Sequence, residues 1–551
     1  MNKILKIVYI VGLITISLFT MTSTEAKSKN PTLERILYIP HDNRPVSNKQ
    51  TVEVIEKLGY EVIVPPDELL GNRDNLGDPE KLWEWLEAST DKDRTIKAMV
   101  ISADSMLYGS LVGSRKHNYT EDIITQRAER FRAFRKEHKK VPIYVFASIM
   151  RTPRTGEASG HEEPAYYRSY GADIFRYTEL LDKQEMDGLN KRETKELEFL
   201  KKLIPEQVIS DWLGRRNKNF NANKILIDLV KEKAFNYLLL GRDDNAPYSQ
   251  THMESRHLQE YGAYLGRTKY QAIAGIDEIG IMLLTRAVND MTNNIPFIYV
   301  GYGSGTGPAT VPSYSDETIE KSIEAAILVT GAMKVPTLEK ADIVLAVNTN
   351  PNGKTYEANT DFNNGRERDG TAYFVEMVND YINKGCNVAV ADIAFANGAD
   401  NAIMEQFRNR GLLFKLKAYA GWNTPTNSMG FVLSTGMLTK RMSAEAVDEL
   451  LVTRYLDDWA YQSNIRNIIA GQLTWLRGDG WYGDLDGKKD AVSDRATKML
   501  NHFVENNLPP FEGSECLFVT FPWDRMFEAD ILLGTEAADA IYKNQPHITV
   551  K

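Results

Sequence analysis

The chain has 551 residues, 42% hydrophobic and 26% charged, with a formal net charge of −9. That balance is ordinary globular material, enough for two or three domains, and the acidic surface argues against nucleic acid as a partner. Its two cysteines, Cys386 and Cys516, are too few for a disulfide scaffold; each precedes an apolar run and reads as a small buried hydrophobe.

At the start, Lys3 and Lys6 precede an apolar run over 7–21, and Ala26 follows with Thr24 two residues before it. This is the three-part pattern of a secretory signal peptide cut after Ala26. The run is shorter than the roughly 20 residues that span a bilayer, and nothing later is long and apolar enough to span one. A secreted, extracellular or cell-envelope protein is expected, with no membrane contact beyond the signal.

Short apolar runs then recur at 36–39, 98–102, 143–147, 237–240, 271–274, 297–300, 343–347, 387–391 and 413–419, separated by segments at helical spacing. Continuous apolar strands alternating with helices predict an α/β class with a parallel sheet covered on both faces. Eight or nine such strands fit a (β/α)8-barrel-like core over 27–438, the alternative being a doubly wound open sheet. The charged stretch of about 180–229 reads as a helical insertion. From 439 to 551 the pattern becomes long helices without strands. No internal repeat is visible.

Function in α/β folds gathers where strands end. The residues after the apolar runs are Asp42, Asn43 and Arg44; Asp104; Arg151; Arg242, Asp243, Asp244 and Asn245; Asp277 and Glu278; Asn348; Asp392 and Asn397; and Trp422 with Asn423. Arg, Asn and Asp offer bidentate donors and acceptors for vicinal hydroxyls, and Trp offers a face for a ring's C–H surface, so the composition points to a sugar.

The sharpest feature is Asp243-Asp244. Two adjacent carboxylates facing one pocket do not ionise independently, so one is raised and serves as an acid. Asp277-Glu278 is a second such pair. His252 and His257 stand at i, i+5, not the i, i+4 of a metal-binding helix. His41, Asp42, Asp104, Asp243, Asp244 and His252 are the set on which a divalent cation would have to converge. The glycine-rich segment 301–308 lacks a phosphate loop's lysine and reads as a flexible loop over the pocket.

At Asp42-Asn43-Arg44-Pro45, Arg242-Asp243-Asp244-Asn245, Tyr419-Ala420-Gly421-Trp422-Asn423-Thr424 and Phe521-Pro522-Trp523-Asp524-Arg525, the chain resembles a bacterial family defined only as domain of unknown function 4127. The resemblance implies no activity. Locally, Leu239-Leu240-Gly241-Arg242-Asp243-Asp244 is similar to the strand-end Asp-Asp pair of barrel β-N-acetylhexosaminidases of the protein O-linked N-acetylglucosamine hydrolase type. That likeness implies that Asp243 orients the substrate's acetamido group and Asp244 is the general acid.

The expectation is an exported glycoside hydrolase acting on a carbohydrate, with Asp244 as acid and Asp243, Asp277 or Glu278 as second carboxylate. No cofactor or metal is expected, and the sequence does not give an oligomeric state. A metal-dependent deacetylase or phosphoesterase and a non-catalytic glycan-binding protein are the rival readings.

Overall fold

The computed structural model describes residues 33–156, 161–368, 370–472 and 483–544. Residues 1–26, where a signal peptide is expected, lie outside them. The strands divide between two open parallel sheets. The first consists of β1 (Arg35–Ile39), β2 (Glu61–Ile63), β3 (Ile96–Ser102), β4 (Ile143–Ile149), β5 (Tyr237–Arg242) and β6 (Tyr270–Ala274), in the order β2-β1-β3-β4-β5-β6. The second is built from β7 (Phe297–Tyr302), β8 (Met333–Lys334) and β9 (Ile343–Asn348), then, past the short strand β10 (Tyr356–Glu357), β11 (Val388–Asp392). After the short strand β12 (Phe395–Ala396), which pairs with β10, comes β13 (Ala418–Ala420), giving the order β13-β11-β9-β7-β8.

The expected closed barrel is therefore corrected to two open sheets, in line with the doubly wound alternative. The alternation of apolar runs is the same in both cases, and only hydrogen bonding between the first and last strands would distinguish them. Counted from its own first strand, each sheet follows one plan: the second strand lies to one side and the rest to the other. This shared plan is a duplication of topology without a repeat in sequence. The connections step in opposite directions across the sheet from β1 and β3 in one sheet and from β7 and β9 in the other, and crevices in open α/β sheets form at such switch points.

Five layers result. One face of the first sheet carries the helices Pro79–Thr90, Glu121–Glu137 and Glu206–Lys231, with Trp83, Phe131 and Leu226 buried against Leu37, Ile39 and Leu238. Its other face shares a core with the second sheet through the helices Ile279–Met291 and Pro425–Leu438. All fourteen residues of Pro425–Leu438 are buried, which explains why this segment shows no polar face. Gly436 lets that helix lie directly on β11, since a Cβ there would stand 2.9 Å from Cβ of Ala389. The outer face of the second sheet packs against Thr371–Asn383, Asn401–Asn409 and Ala444–Arg454.

The stretch of about 180–229 falls within three helices that connect β4 to β5, Tyr167–Met186, Lys191–Leu203 and Glu206–Lys231, the last of which also covers the first sheet. The C-terminal region also holds a feature with no counterpart in the helical expectation, the antiparallel hairpin of β14 (Leu517–Thr520) and β15 (Asp530–Leu533). Its apolar residues Leu517, Val519 and Phe521 share the core of the second sheet, so the region is no separate appendage. Cys386 and Cys516 are free and half-buried. Among the described residues no helix is long and apolar enough to cross a membrane.

Candidate functional site

The carboxyl ends of the first sheet, the N-terminus of Pro425–Leu438 and the β14–β15 connection enclose a cavity of about 330 Å³. Asp277, just before Ile279–Met291, meets Asn423, just before Pro425–Leu438: Asn423 Nδ2 donates to Asp277 Oδ2 at 2.7 Å. The two inner helices thus open on one point, each half supplying one side. Arg44 spans the gap behind them, donating from Nη2 to Asp277 Oδ1 at 2.7 Å and to Asp42 Oδ2 at 2.9 Å. Burial raises the Asp277 carboxyl above its ordinary range, and Arg44 opposes the rise.

A second network forms the opposite wall. Arg115, on the short helix Leu111–Lys116, donates to Asp243 Oδ2 at 2.5 Å and to Glu162 Oε2 at 2.7 Å. Arg151 reaches Glu162 at 3.0 Å, Glu163 at 2.9 Å and Asp244 at 3.1 Å. Arg525 closes it, pairing with Glu162 at 2.7 Å and donating two hydrogen bonds to Glu528. Glu162 is buried, which opposes its charge, but the three guanidinium groups hold its carboxyl well below the usual range.

Asp244 behaves oppositely. Burial, followed by the neighbouring Asp243 carboxylate, pushes it up to about 6, with Arg151 and Arg115 pulling the other way. Its backbone φ is +29°, a conformation that a non-glycine residue holds only where surrounding contacts impose it. The adjacent pair is thus unlike in its surroundings: Asp243 is sealed in an ion pair, while the Asp244 side chain keeps 30% of its surface open.

Of the residues singled out in the sequence, Arg44, Arg151, Asp243, Asp244, Asn245, Asp277, Asn397 and Asn423 line the cavity. The others lie elsewhere. Asp42 is fully buried behind Arg44, and Asn43 accepts from Trp523 Nε1 at 2.8 Å. Asp104 accepts from the Ser148 amide at 2.8 Å and lies 3.3 Å from His41. Arg242 pairs with Asp316 and Glu317, both at 3.0 Å. Glu278 sits behind the cavity wall, where burial raises its carboxyl to about 8 although backbone amides favour the ionised form. Asn348 and Asp392 belong to a buried cluster with Asp400 and Tyr419. Trp422 packs against Phe527, and the indole that faces the cavity is Trp523.

His252 pairs with Asp182 at 2.6 Å, tying Tyr167–Met186 to the helix Gln250–Gly262, and so does not join His41 and Asp104. Among the described residues, no three His, Cys, Asp or Glu side chains are grouped so as to hold a metal ion. The glycine-rich segment does not cover the cavity either; it is pinned to the loop after β9, with the Thr306 amide on Pro351 O at 2.9 Å.

Sequence reasoning missed Arg115, Glu162, Tyr314, Trp523, Arg525 and Phe527, all in the cavity wall. Trp523 and Arg525 had a signal, since they stand in one of the segments that carry the family resemblance. Arg115 had none, because it sits within a helix rather than at a strand end.

A family model described as Protein of unknown function (DUF4127) matches residues 36–532, from β1 to β15. The chain belongs to the DUF4127 family. No curated protein and no solved structure matches it. Within this DUF4127 chain the matched span contains both sheets, the insertion and the hairpin, so the whole cavity wall falls inside the family region.

Proposed function

We propose that the protein is an exported glycoside hydrolase in which Asp244 protonates the leaving-group oxygen of a bound sugar. The observation that carries this reading is the unlike carboxylate pair in the cavity wall: Asp243 ion-paired with Arg115, and Asp244 raised to about 6 and partly open. A carboxylic acid that keeps its proton near pH 6 beside an ionised neighbour is the arrangement that acid-assisted glycosidic cleavage requires.

In the proposed step the bond between the anomeric carbon and the leaving oxygen breaks as Asp244 delivers its proton; a water then bonds to the anomeric carbon and gives up a proton that returns Asp244 to its acid form. Asp243 or Asp277 faces the positive charge that develops on the ring. Trp523, Tyr314 and Phe527 give apolar faces to the ring, and Asn245, Asn397 and Asn423 supply amides for its hydroxyls. The local likeness to hexosaminidases would make Asp243 the residue that orients an acetamido group, but those enzymes are barrels and this fold is two open sheets, so the assignment of the acid rests on the cavity.

Export rests on the pattern at 1–26, and N-terminal sequencing of the secreted protein should begin at Lys27. The mechanism is tested by Asp244→Asn on a panel of aryl glycosides of both anomers. Turnover should fall by about 10²–10⁴-fold, the range for losing a general acid. Equal turnover by the variant and the wild type, or none by either, overturns the reading.

A further inference from the structure

Five arginines line the cavity, and four are engaged by carboxylates: Arg44 by Asp42 and Asp277, Arg115 by Asp243 and Glu162, Arg151 by Glu162, Glu163 and Asp244, and Arg525 by Glu162 and Glu528. Arg154 differs from all of them. It is exposed and has no acidic partner among the described residues, and its guanidinium lies over the Phe175 ring, 5.1 Å from the centroid. Stacking on an aromatic face leaves the in-plane N–H edge of a guanidinium open to a planar or tetrahedral anion.

The backbone that presents Arg154 is fixed at several points. Arg216, on the long insertion helix Glu206–Lys231, donates to Met150 O at 2.7 Å and Arg151 O at 2.8 Å. Tyr167 Oη donates to Pro153 O at 2.8 Å. At Gly156 the chain passes so close to Tyr167–Met186 that a Cβ would stand 2.2 Å from Arg168 O. Phe175, the stacking ring, comes from that same helix. A cation held this firmly has already met the ordering cost of binding, which raises the affinity it confers.

We propose that the cavity takes a sugar bearing one negative charge, a carboxylate or a sulfate ester, and that Arg154 receives that charge; this rests on the glycoside-hydrolase reading of the same cavity. The other four lining arginines are matched by Asp243, Asp244, Asp277 and Glu162, so Arg154, without an acidic partner among the described residues, leaves one positive charge to be met, which suits a monoanion better than a dianionic phosphate.

The test is calorimetric binding of glucuronate, galacturonate and galactose 6-sulfate against glucose, galactose and galactose 6-phosphate. It is run with the full mature protein and with its Arg154→Ala and Arg154→Lys variants. The monoanionic sugars should bind about tenfold or more tightly than the neutral ones, the scale of one charge-assisted hydrogen-bonded contact. Arg154→Ala should abolish that preference with the thermal unfolding midpoint unchanged, and Arg154→Lys should keep part of it. Whichever of uronate and sulfate binds more tightly identifies the source of the charge. Equal binding of neutral and anionic sugars, binding of the phosphate as tight as that of the monoanions, a preference that survives in Arg154→Ala, or no binding at all overturns the proposal. Failure of the hydrolase reading looks different: the charge preference persists in binding while no aryl glycoside, neutral or anionic, is turned over.

Discussion

The two sheets share a strand order, yet their strand ends have opposite fates. In the first half Arg151, Asp243 and Asp277 open on the cavity. In the second half Asn397 and Asn423 still reach the cavity, but the residues at the ends of β9 and β11 satisfy one another. Asn348 Nδ2 donates to Asp392 at 2.9 Å and to Asp400 at 3.1 Å, Tyr419 Oη donates to Asp392 at 2.7 Å, and Arg368 reaches Asp400. Asp458, in the C-terminal region, accepts from the Gly421 amide at 2.7 Å and so covers the end of β13. In this chain the region beyond residue 439 covers the end of β13 through Asp458, whereas over the first half its residues Trp523, Arg525 and Phe527 form part of the cavity wall and leave a space behind them.

That contrast can be broken most strongly at Asp244. Asp244→Asn should lower glycoside turnover by about 10²–10⁴-fold while leaving the fold intact, and Asp392→Asn should leave turnover near wild type; the reverse ranking in paired kinetic assays would refute the division. Next in size is Arg115→Met, which strands Asp243 as a buried charge while Glu162 keeps Arg151 and Arg525. Losing one partner of a buried pair costs about 3–5 kcal/mol, so denaturant unfolding should show a large loss of stability.

The pH dependence sharpens the same contrast. Burial, then the Asp400 charge, raises Asp392 to about 7; burial raises Asp458 to about 7 against the opposing pull of Arg454. A carboxyl raised in the folded state binds its proton more tightly there than in the unfolded chain. Its favourable contribution is complete below the ordinary carboxylate range near 4 and is lost as pH rises through 7. The unfolding temperature should fall between about pH 4 and 8, and Asp392→Asn should flatten part of that fall in scanning calorimetry. The smallest effect concerns Asp244: as an acid raised to about 6, it should give kcat/KM an alkaline limb near pH 6, and Asp244→Asn should abolish it.

Much of the fold was legible. The apolar runs at 143–147 and 237–240 became the fully buried strands β4 and β5, because burial on both faces leaves no alternation to misread. Closure was not legible, since it depends on pairing between strands far apart in sequence, and β8, at the edge of the second sheet, has only two residues, both exposed. The site was legible where loops follow strands directly, as at Arg151-Thr152-Pro153-Arg154 and Arg242-Asp243-Asp244-Asn245. It was hidden where a wall residue comes from a helix, as with Arg115, or from a hairpin some 280 residues beyond Asp243, as with Trp523 and Arg525. Trp422 shows the converse: its position and chemistry suited a sugar platform, but the C-terminal Phe527 packs over it.

The three helices that connect β4 to β5 have a consequence for how the protein can diversify. Arg216 and Phe175 belong to these helices and position Arg154, whereas Asp243 and Asp244 follow β5. Under the proposed function, substrate choice and proton transfer fall to different segments of the chain, so substitutions at Phe175 or Arg216 should change selectivity while the reacting groups stay where they are.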